Sequence, residues 1–242
     1  HVMKRYGVHR FQPLKLYLDA LCQITVQCAA DEVESPFALA AMDYYFRGTA
    51  HIQGGLGQLA EALCEAIAAH GGGLHMSAGV KRLEPRPAGG WRVYTRHGIM
   101  EAPVVVANVL PQAVRALLPQ DTPLPKWLDR QQRDLERGWG AAMLYLVARA
   151  PHGGGAEHWQ MIGDASRPLR EGNHVFCSIS GETETERTPA GSRTMTLSTH
   201  IPMKTYLSLC EEERAVYISG IQQEMRTTFS QRSPAWSDNV FF

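Results

Sequence analysis

The sequence predicts a mixed α/β fold (α+β) with two β regions and covering helices. Near both ends of the chain, over residues 10–28 and 209–229, apolar residues recur at helical spacing. Between them, most of residues 79–108 and 140–201 resemble short strands that are separated by turn residues. Because the two β regions have different neighbours along the chain, we expect them to form separate sheets in two structural units.

Composition limits the class of protein. The chain has 242 residues, of which 44% are apolar and 20% are charged, as in soluble globular proteins. Lys plus Arg and Asp plus Glu both number 24, so we expect no nucleic-acid partner. No apolar stretch approaches the roughly 18 residues that span a membrane. The five cysteines are too few and too scattered for a disulfide framework, which favours a reducing, cytoplasmic location.

The opening segment of the chain is predicted to be helical. An apolar stripe with a second stripe beside it indicates a helix with a wide buried face over residues 10–28. Ser35 and Pro36 then provide a cap and a first helical residue for a short helix. A third helix follows the glycine-rich entry GGLG and ends at a GGG turn.

The next segment is predicted to be β structure followed by two helices. GVKRLE and WRVYT indicate strands, and a hairpin turn is expected at His97 and Gly98. VVVAN, at residues 104–108, indicates a continuous apolar strand that is covered on both faces. A short helix is expected over residues 111–118, and a longer amphipathic helix within LPKWLDRQQRDLERG.

Four more strands are predicted in the second β region, within GAAMLYLVAR, HWQMIG, NHVFCSIS and TMTLSTHIP. We expect these strands to form one largely antiparallel sheet. Their period of two requires a cover on one face of that sheet. The helices at residues 10–28 and 209–229 are the most apolar ones available, so we expect both to pack there.

No residue pattern in the sequence amounts to a catalytic centre. Residues 55–60 form the string G-x-G-x-x-A of a dinucleotide site, but the residues before it make a poor buried strand. A glycine-mediated entry to an ordinary helix is the competing interpretation. The histidines are scattered singly, and the sequence contains no H-E-x-x-H, C-x-x-C or G-x-S-x-G. We therefore expect no metal site, and the residue pattern assigns no catalytic residue.

Basic residues with interleaved aromatic residues cluster at the start of the chain. The cluster consists of Lys4, Arg5, His9, Arg10 and Lys15 with Tyr6, Phe11 and Tyr17. Two interpretations are open for this cluster. It is a peripheral contact with a membrane surface, or it is a solvated helix face.

The middle of the chain carries an ordered set of short motifs. Gly54 and Gly55 open a GG-x-x-x-L helix that ends at a GG turn, and Val80 begins a V-x-x-L strand. A hairpin follows, and then V-V-x-N, which ends at Asn108, and Pro111. In order and spacing these motifs resemble the middle section of FAD-dependent oxidoreductases of the phytoene desaturase and amine oxidase superfamily, in particular its carotenoid desaturases.

The resemblance implies FAD as the cofactor and assigns residues to it. Val80 matches the position whose main chain bonds the FAD adenine, and Asn108 and Pro111 match a strand end beside the cofactor. Gly54 and Gly55 match the close-approach glycines ahead of the helix. The family's opening strand–GxGxxG–helix, which cradles the FAD pyrophosphate, has no counterpart in this sequence.

The resemblance also implies a division into domains. Residues 1–47 and 116–242 would form a substrate-binding domain, in which a sheet is covered by helices. Residues 48–115 would form a partial FAD-binding domain that lacks its Rossmann βαβ start. Because both ends of the sequence are abrupt, we expect a segment of a longer protein that is inactive, and free of flavin, on its own.

The implied function is that of an FAD-dependent desaturase, isomerase or related oxidoreductase. Its substrate would be apolar, isoprenoid or carotenoid-like, and hydride would pass to the flavin. The alternative is a non-catalytic apolar-ligand-binding or protein-interaction module on the same scaffold. An apolar substrate needs a pocket of adaptable apolar groups, which we expect between the second β region and the helix at residues 10–28. The expected lining residues are Met143, Tyr145, Trp159, Met161, Phe176 and Ile179.

Overall fold

The structure, a computed structural model, describes residues 2–48, 50 and 52–241, without the side chains of residues 44, 45 and 132. Its helices are α1 (Val2–Arg5), α2 (Gln12–Val26), α3 (Ser35–Arg47), α4 (Leu56–Ala69), α5 (Pro111–Leu117), α6 (Lys126–Glu136), α7 (Met203–Ser208), α8 (Glu211–Arg232) and α9 (Pro234–Ser237). Its strands are β1 (Val80–Pro85), β2 (Trp91–Thr95), β3 (Gly98–Ala102), β4 (Trp139–Arg149), β5 (Glu157–Ile162), β6 (His174–Ile179) and β7 (Ser192–Pro202). The fold is mixed α+β, as predicted, and its strands form two antiparallel sheets.

The chain divides into two compact units, and each sheet lies in a different unit. The larger unit comprises His1–Leu59 and Gly138–Phe242, and the smaller unit comprises Ala60–Arg137. The expectation that the two β regions do not share a sheet is therefore confirmed. The assignment of residues 48–115 to a partial FAD-binding domain concerns function and stays a prediction.

The sheet of the larger unit has the strand order β4-β7-β6-β5, and all its neighbours are antiparallel. The four predicted strands of the second β region are thus confirmed. The long central pair runs from Trp139 opposite Pro202 to Arg149 opposite Ser192. Along β7, buried and half-buried residues alternate without interruption. This alternation follows from the pleat of a strand, which places successive side chains on opposite faces.

One face of this sheet carries the core of the larger unit, and we call it the core face. Leu144, Cys177 and Leu197 lie side by side on it and are buried. The helical residues that cover them are Ile221, Met225 and Phe229 of α8 and Trp236 of α9. The predicted cover by the last long helix is confirmed, because the apolar stripe of α8 lies on the apolar side of the strands.

The helix predicted at residues 10–28 forms as α2, but it is not the second cover of the core face. α2 packs against α3, and none of its described residues belongs to the core cluster beneath the sheet. Its buried stretch, residues 19–23, includes Asp19, which accepts hydrogen bonds from the Ala30 amide at 3.0 Å and from Lys15 at 2.5 Å. Helical spacing shows that a face is buried and does not say against which element.

The smaller unit contains a three-stranded meander, the helices α5 and α6, and most of α4. β2 and β3 are joined at the hairpin turn that the sequence predicts, since Thr95 pairs with Gly98. Helices α5 and α6 pack against each other, and α5 also contacts β1. Together with residues 105–109 they enclose a cavity of about 500 Å³ whose lining includes Leu83, Trp91 and Trp127.

The strand predicted for VVVAN at residues 104–108 is wrong. This segment is irregular, and Val104 and Val106 are 72% and 88% exposed. A strand requires a neighbour for its amide and carbonyl groups, and none of the described strands pairs with this segment. Apolar composition alone therefore does not produce a strand here.

Candidate functional site

The second face of the four-stranded sheet, which we call the outer face, presents a continuous surface without carboxylates. The register between the strands determines which residues share it. Its residues are Trp139, Ala141, Met143, Tyr145, Val147 and Arg149 of β4, Ser192, Thr194, Thr196, Ser198, His200 and Pro202 of β7, His174, Phe176 and Ser178 of β6, and His158, Gln160 and Ile162 of β5. None of these residues is Asp, Glu or Lys, and the one Arg among them, Arg149, is exposed at the last position of β4.

The outer face differs from the core face in burial. Tyr145 is 70% exposed, and Met143 and Phe176 are half-buried. Their neighbours on the core face, Leu144 and Cys177, are buried. Large apolar groups that are left partly open on one face of a sheet form a surface on which an apolar molecule can bind.

Two neutral histidines lie at the edge of the outer face. His174 is 1% exposed, and its Nε2 lies 3.0 Å from Oε1 of Gln160. The Nδ1 atoms of His174 and His200 are both buried and have no hydrogen-bond partner. Burial lowers the pKa of His174 to about 4, with a further contribution from His200, and burial also lowers the pKa of His200. Both imidazoles are therefore uncharged at neutral pH.

Ionised groups near these histidines are paired with one another. The guanidinium of Arg170 lies over the ring of Trp139 at 5.9 Å, and Trp139 meets His200 edge to face at 6.3 Å. Arg170 Nε is 3.2 Å from a carboxylate oxygen of Glu171. Tyr217 donates a hydrogen bond of 2.6 Å to Glu171, and burial together with this bond raises the pKa of Tyr217. The hydroxyl of Tyr217 therefore stays protonated and holds the carboxylate in place.

The structure separates the residues that were predicted to line one substrate pocket. Met143, Tyr145 and Phe176 lie on the outer face. Trp159 and Met161, like Ile179, lie on the core face, because Trp159 pairs with Cys177 and Met161 with Val175. Several of these residues were expected to share one face, and the structure places three of the six on each face. The role of each residue in substrate binding stays a prediction.

Trp159 and Met161 border a cavity at the edge of the sheet. The cavity has a volume of about 690 Å³ and is lined by β5, Ala165 and Arg232. The ring centres of Trp159 and Trp236 are 6.2 Å apart, so Trp159 also packs against a residue of the core. No residue of α2 lines this cavity, so it differs from the elongated pocket that was expected beside the helix at residues 10–28.

The residues that the resemblance assigns to FAD fall into two groups. In the smaller unit, Val80 is the first residue of β1, an edge strand with a register shift between Val80 and Arg82. Asn108 lies in the irregular segment, and Pro111 begins α5 and lines the cavity of about 500 Å³. The exposed edge of β1 offers main-chain groups that no neighbouring strand uses, which fits a contact through the main chain.

Gly54 and Gly55 lie in the larger unit, directly before α4. Gly55 has φ of +88°, and a Cβ atom there would lie 3.1 Å from the guanidinium carbon of Arg187. The position therefore favours glycine for its backbone conformation, while the Arg187 side chain could move aside from a Cβ atom. Arg187 also forms an ion pair with Glu184 at 3.1 Å.

Sequence reasoning missed the histidine pair and the ion pairs beside it. His174 and His200 are far apart in the sequence and were judged singly. They become neighbours through the antiparallel pairing of β6 with β7, which local pattern does not reveal. Within the described residues, no cluster of three or more His, Cys, Asp or Glu side chains is arranged to hold a metal ion.

Comparisons with known proteins agree with the fold and identify the family. The profile of the flavin-containing amine oxidoreductases matches residues 9–239. The crystal structure of an oxidoreductase from Methanosarcina mazei superposes with a TM-score of 0.61 at 19% identity, over 94% of this chain and 50% of that one. This chain thus spans about half the length of that structure, and the likeness shows a shared fold. A comparison with curated proteins returns no match.

The family match covers nearly the whole chain and includes both units. It confirms the predicted oxidoreductase class and the amine oxidase superfamily. It also confirms a flavin, FAD, as the cofactor. The chain belongs to the flavin-containing amine oxidoreductase family.

Proposed function

We propose that this chain forms the substrate-binding region, with part of the FAD-binding region, of an oxidoreductase for apolar substrates. The substrate class is isoprenoid or carotenoid-like, and the reaction is a desaturation, an isomerisation or a related conversion. FAD, when bound, supplies the hydride acceptor. The protein residues bind the substrate, orient it and exclude water.

The apolar outer face, which has no carboxylate among its residues, is the observation that carries this proposal. An ammonium group that bound there would find no carboxylate among the residues of this face, and so no ion pair to offset any hydration that it lost. An uncharged chain instead gains free energy by covering Met143, Tyr145 and Phe176. The hydroxyl groups of Thr and Ser along β7 and β6 complete this surface, and its one cation, Arg149, lies at the end of β4. The outer face therefore favours an apolar substrate over a cationic amine.

The neutral histidines fit the same substrate class. Because both imidazoles are uncharged at neutral pH, they add no charge to the outer face. Arg170 and Glu171 form an ion pair, and Tyr217 fixes the carboxylate. We assign these residues a structural role, in which they hold the end of the sheet and keep paired charges away from the substrate.

A binding assay with an uncharged polyene tests the substrate class. We expect Phe176→Ala and Tyr145→Ser each to weaken binding of parinaric acid methyl ester about tenfold, because each removes a large apolar contact. Fluorescence titration of the polyene measures the affinity, and circular dichroism verifies folding. Val216→Ser is the matched control, since Val216 is 74% exposed on α8, the helix that covers the core face.

Two outcomes of this assay would contradict the proposal. One is stronger competition by a long-chain alkylamine than by the uncharged alcohol of the same length. The other is an equal loss of affinity in Val216→Ser and Phe176→Ala. In a longer protein that contains this chain and binds FAD, the Phe176→Ala and Tyr145→Ser variants are expected to raise KM for the substrate while flavin content is unchanged.

The smaller unit is proposed to contribute to the FAD-binding region. Its support is the exposed edge of β1 at Val80, together with Pro111 at the apolar cavity and Asn108 between them in sequence. Val80 would contact the adenine through its main chain, so its side chain is free to vary. Gly54 and Gly55 would keep the entry to α4 open.

Flavin content tests this assignment directly. We expect the chain of 242 residues to purify without stoichiometric FAD, because it contains no strand–GxGxxG–helix to hold the pyrophosphate. Absorbance in the flavin band after gel filtration, divided by protein concentration, gives the occupancy. A yellow protein with one FAD per chain would show that the G-x-G-x-x-A string at residues 55–60 does bind the dinucleotide. Gly55→Ala would then abolish the colour.

A further inference from the structure

The start of the chain has a charge distribution unlike the rest of the protein. The whole chain has a net charge of zero, yet its first 18 residues contain no Asp or Glu. Their cations are Lys4, Arg5, Arg10 and Lys15. A local positive field therefore exists on a protein that has no overall field.

Large apolar side chains are exposed among these cations. Tyr6 is 71% exposed, Phe11 is 60% exposed, and Val2 is 42% exposed. These residues belong to an ordered turn, in which the Tyr6 amide donates to the Val2 carbonyl at 3.2 Å and the Phe11 amide donates to Val8 at 3.1 Å. The turn leads from α1 into α2 and holds the aromatic rings in water.

Three of the cations are available to an external partner. Lys15 already forms an ion pair with Asp19, in which Nζ lies 2.5 Å from a carboxylate oxygen. Lys4, Arg5 and Arg10 are exposed, and they form no ion pair within the described part of the chain. We define the amino-terminal patch as these three cations with Val2, Tyr6 and Phe11.

We propose that the amino-terminal patch binds the surface of an anionic phospholipid bilayer. Lipid phosphates complement the three cations, and the aromatic rings enter the headgroup boundary, where one end of a ring is apolar and the other is wet. A nucleic acid would pair with the cations and leave the apolar half of the patch in water. Among the described helices none is long and apolar enough to cross a bilayer.

Vesicle cosedimentation tests the charged half of the patch. We expect the chain to sediment with phosphatidylcholine vesicles that contain phosphatidylglycerol and to remain in solution with pure phosphatidylcholine. Because each surface cation contributes about fivefold, the triple variant Lys4→Gln, Arg5→Gln and Arg10→Gln should lower the partition coefficient about a hundredfold. The matched control replaces Lys126, Arg130 and Arg133 with Gln, since these exposed cations of α6 lie among acidic residues.

The aromatic half of the patch needs its own measurement. Tyr6→Ser with Phe11→Ser should reduce the binding that remains at high salt, while the charge variant mainly reduces binding at low salt. Circular dichroism should be unchanged, since both side chains are mostly exposed. Absence of sedimentation with anionic vesicles would overturn the proposal. So would equal losses in the patch and α6 triple variants, or tighter binding to heparin than to anionic vesicles with no effect of the aromatic variant.

Discussion

Replacement of Gly172 by alanine is expected to lower the free energy of unfolding by about 3 kcal/mol. Gly172 has φ of +91°, and a Cβ atom there would lie 2.7 Å from Cβ of Glu224 and 2.9 Å from the amide nitrogen of Met225. The second contact is with the backbone of α8, which cannot move without disturbing the core face. The free-energy cost of the left-handed backbone conformation and the cost of the steric overlap therefore add.

Hydrogen bonds prevent Gly172 from moving away from α8. Its amide donates to Oγ1 of Thr199 at 2.9 Å, and its carbonyl accepts from Oγ1 of Thr228 at 2.7 Å. These bonds join the segment before β6 to β7 on one side and to α8 on the other. A shift that relieved the overlap would break at least one buried hydrogen bond.

Gly191→Ala is the matched control for this prediction. Gly191 also has a positive φ, +74°, but a Cβ atom there would meet nothing within 4 Å. We expect it to lower the free energy of unfolding by about 1 kcal/mol, the cost of the backbone conformation alone. Urea unfolding of both variants measures the difference. Equal losses of unfolding free energy in the two variants would mean that steric overlap with α8 does not contribute at Gly172.

Local pattern was sufficient to predict most elements but not their contacts. The period of two in residues 192–202 and the apolar stripe of α8 correspond to elements that form and bury one face. The run VVVAN has the composition of a strand, but none of the described strands pairs with it. α2 had the stripe of a core helix and packs on α3. In both cases the outcome depends on an element elsewhere in the chain.

The candidate site shows the same limit. Met143 and Trp159 are equally apolar in the sequence, and only the strand register assigns one to the outer face and the other to the core face. The pairing of β6 with β7 likewise brings His174 beside His200. The FAD assignment came from a resemblance and not from residue chemistry, because recognition through the main chain at Val80 requires no particular side chain.

Acid is expected to destabilise the larger unit through His174. The pKa of this imidazole is about 4 in the folded chain and about 6.5 when it is exposed on unfolding. Because the folded pKa is lowered, the unfolded chain binds the proton more readily. The contribution of His174 to stability is therefore complete above pH 6.5 and is lost as the pH falls towards 4. The expected loss is about 2 kcal/mol at pH 5 and about 3 kcal/mol below pH 4.

His174→Gln isolates this effect from the titration of carboxylates. Glutamine keeps an amide that can hydrogen-bond Gln160 but has no proton to gain, so the stability of the variant should fall less steeply between pH 7 and pH 4. Urea unfolding at several pH values measures both slopes, and His70→Gln, at the exposed end of α4, controls for the loss of a histidine as such. Imidazole resonances of the folded chain provide a direct measurement by NMR. A His174 midpoint near 6.5, with equal slopes for the variant and the unaltered chain, would show that water or a ligand reaches Nδ1 and stabilises the imidazolium.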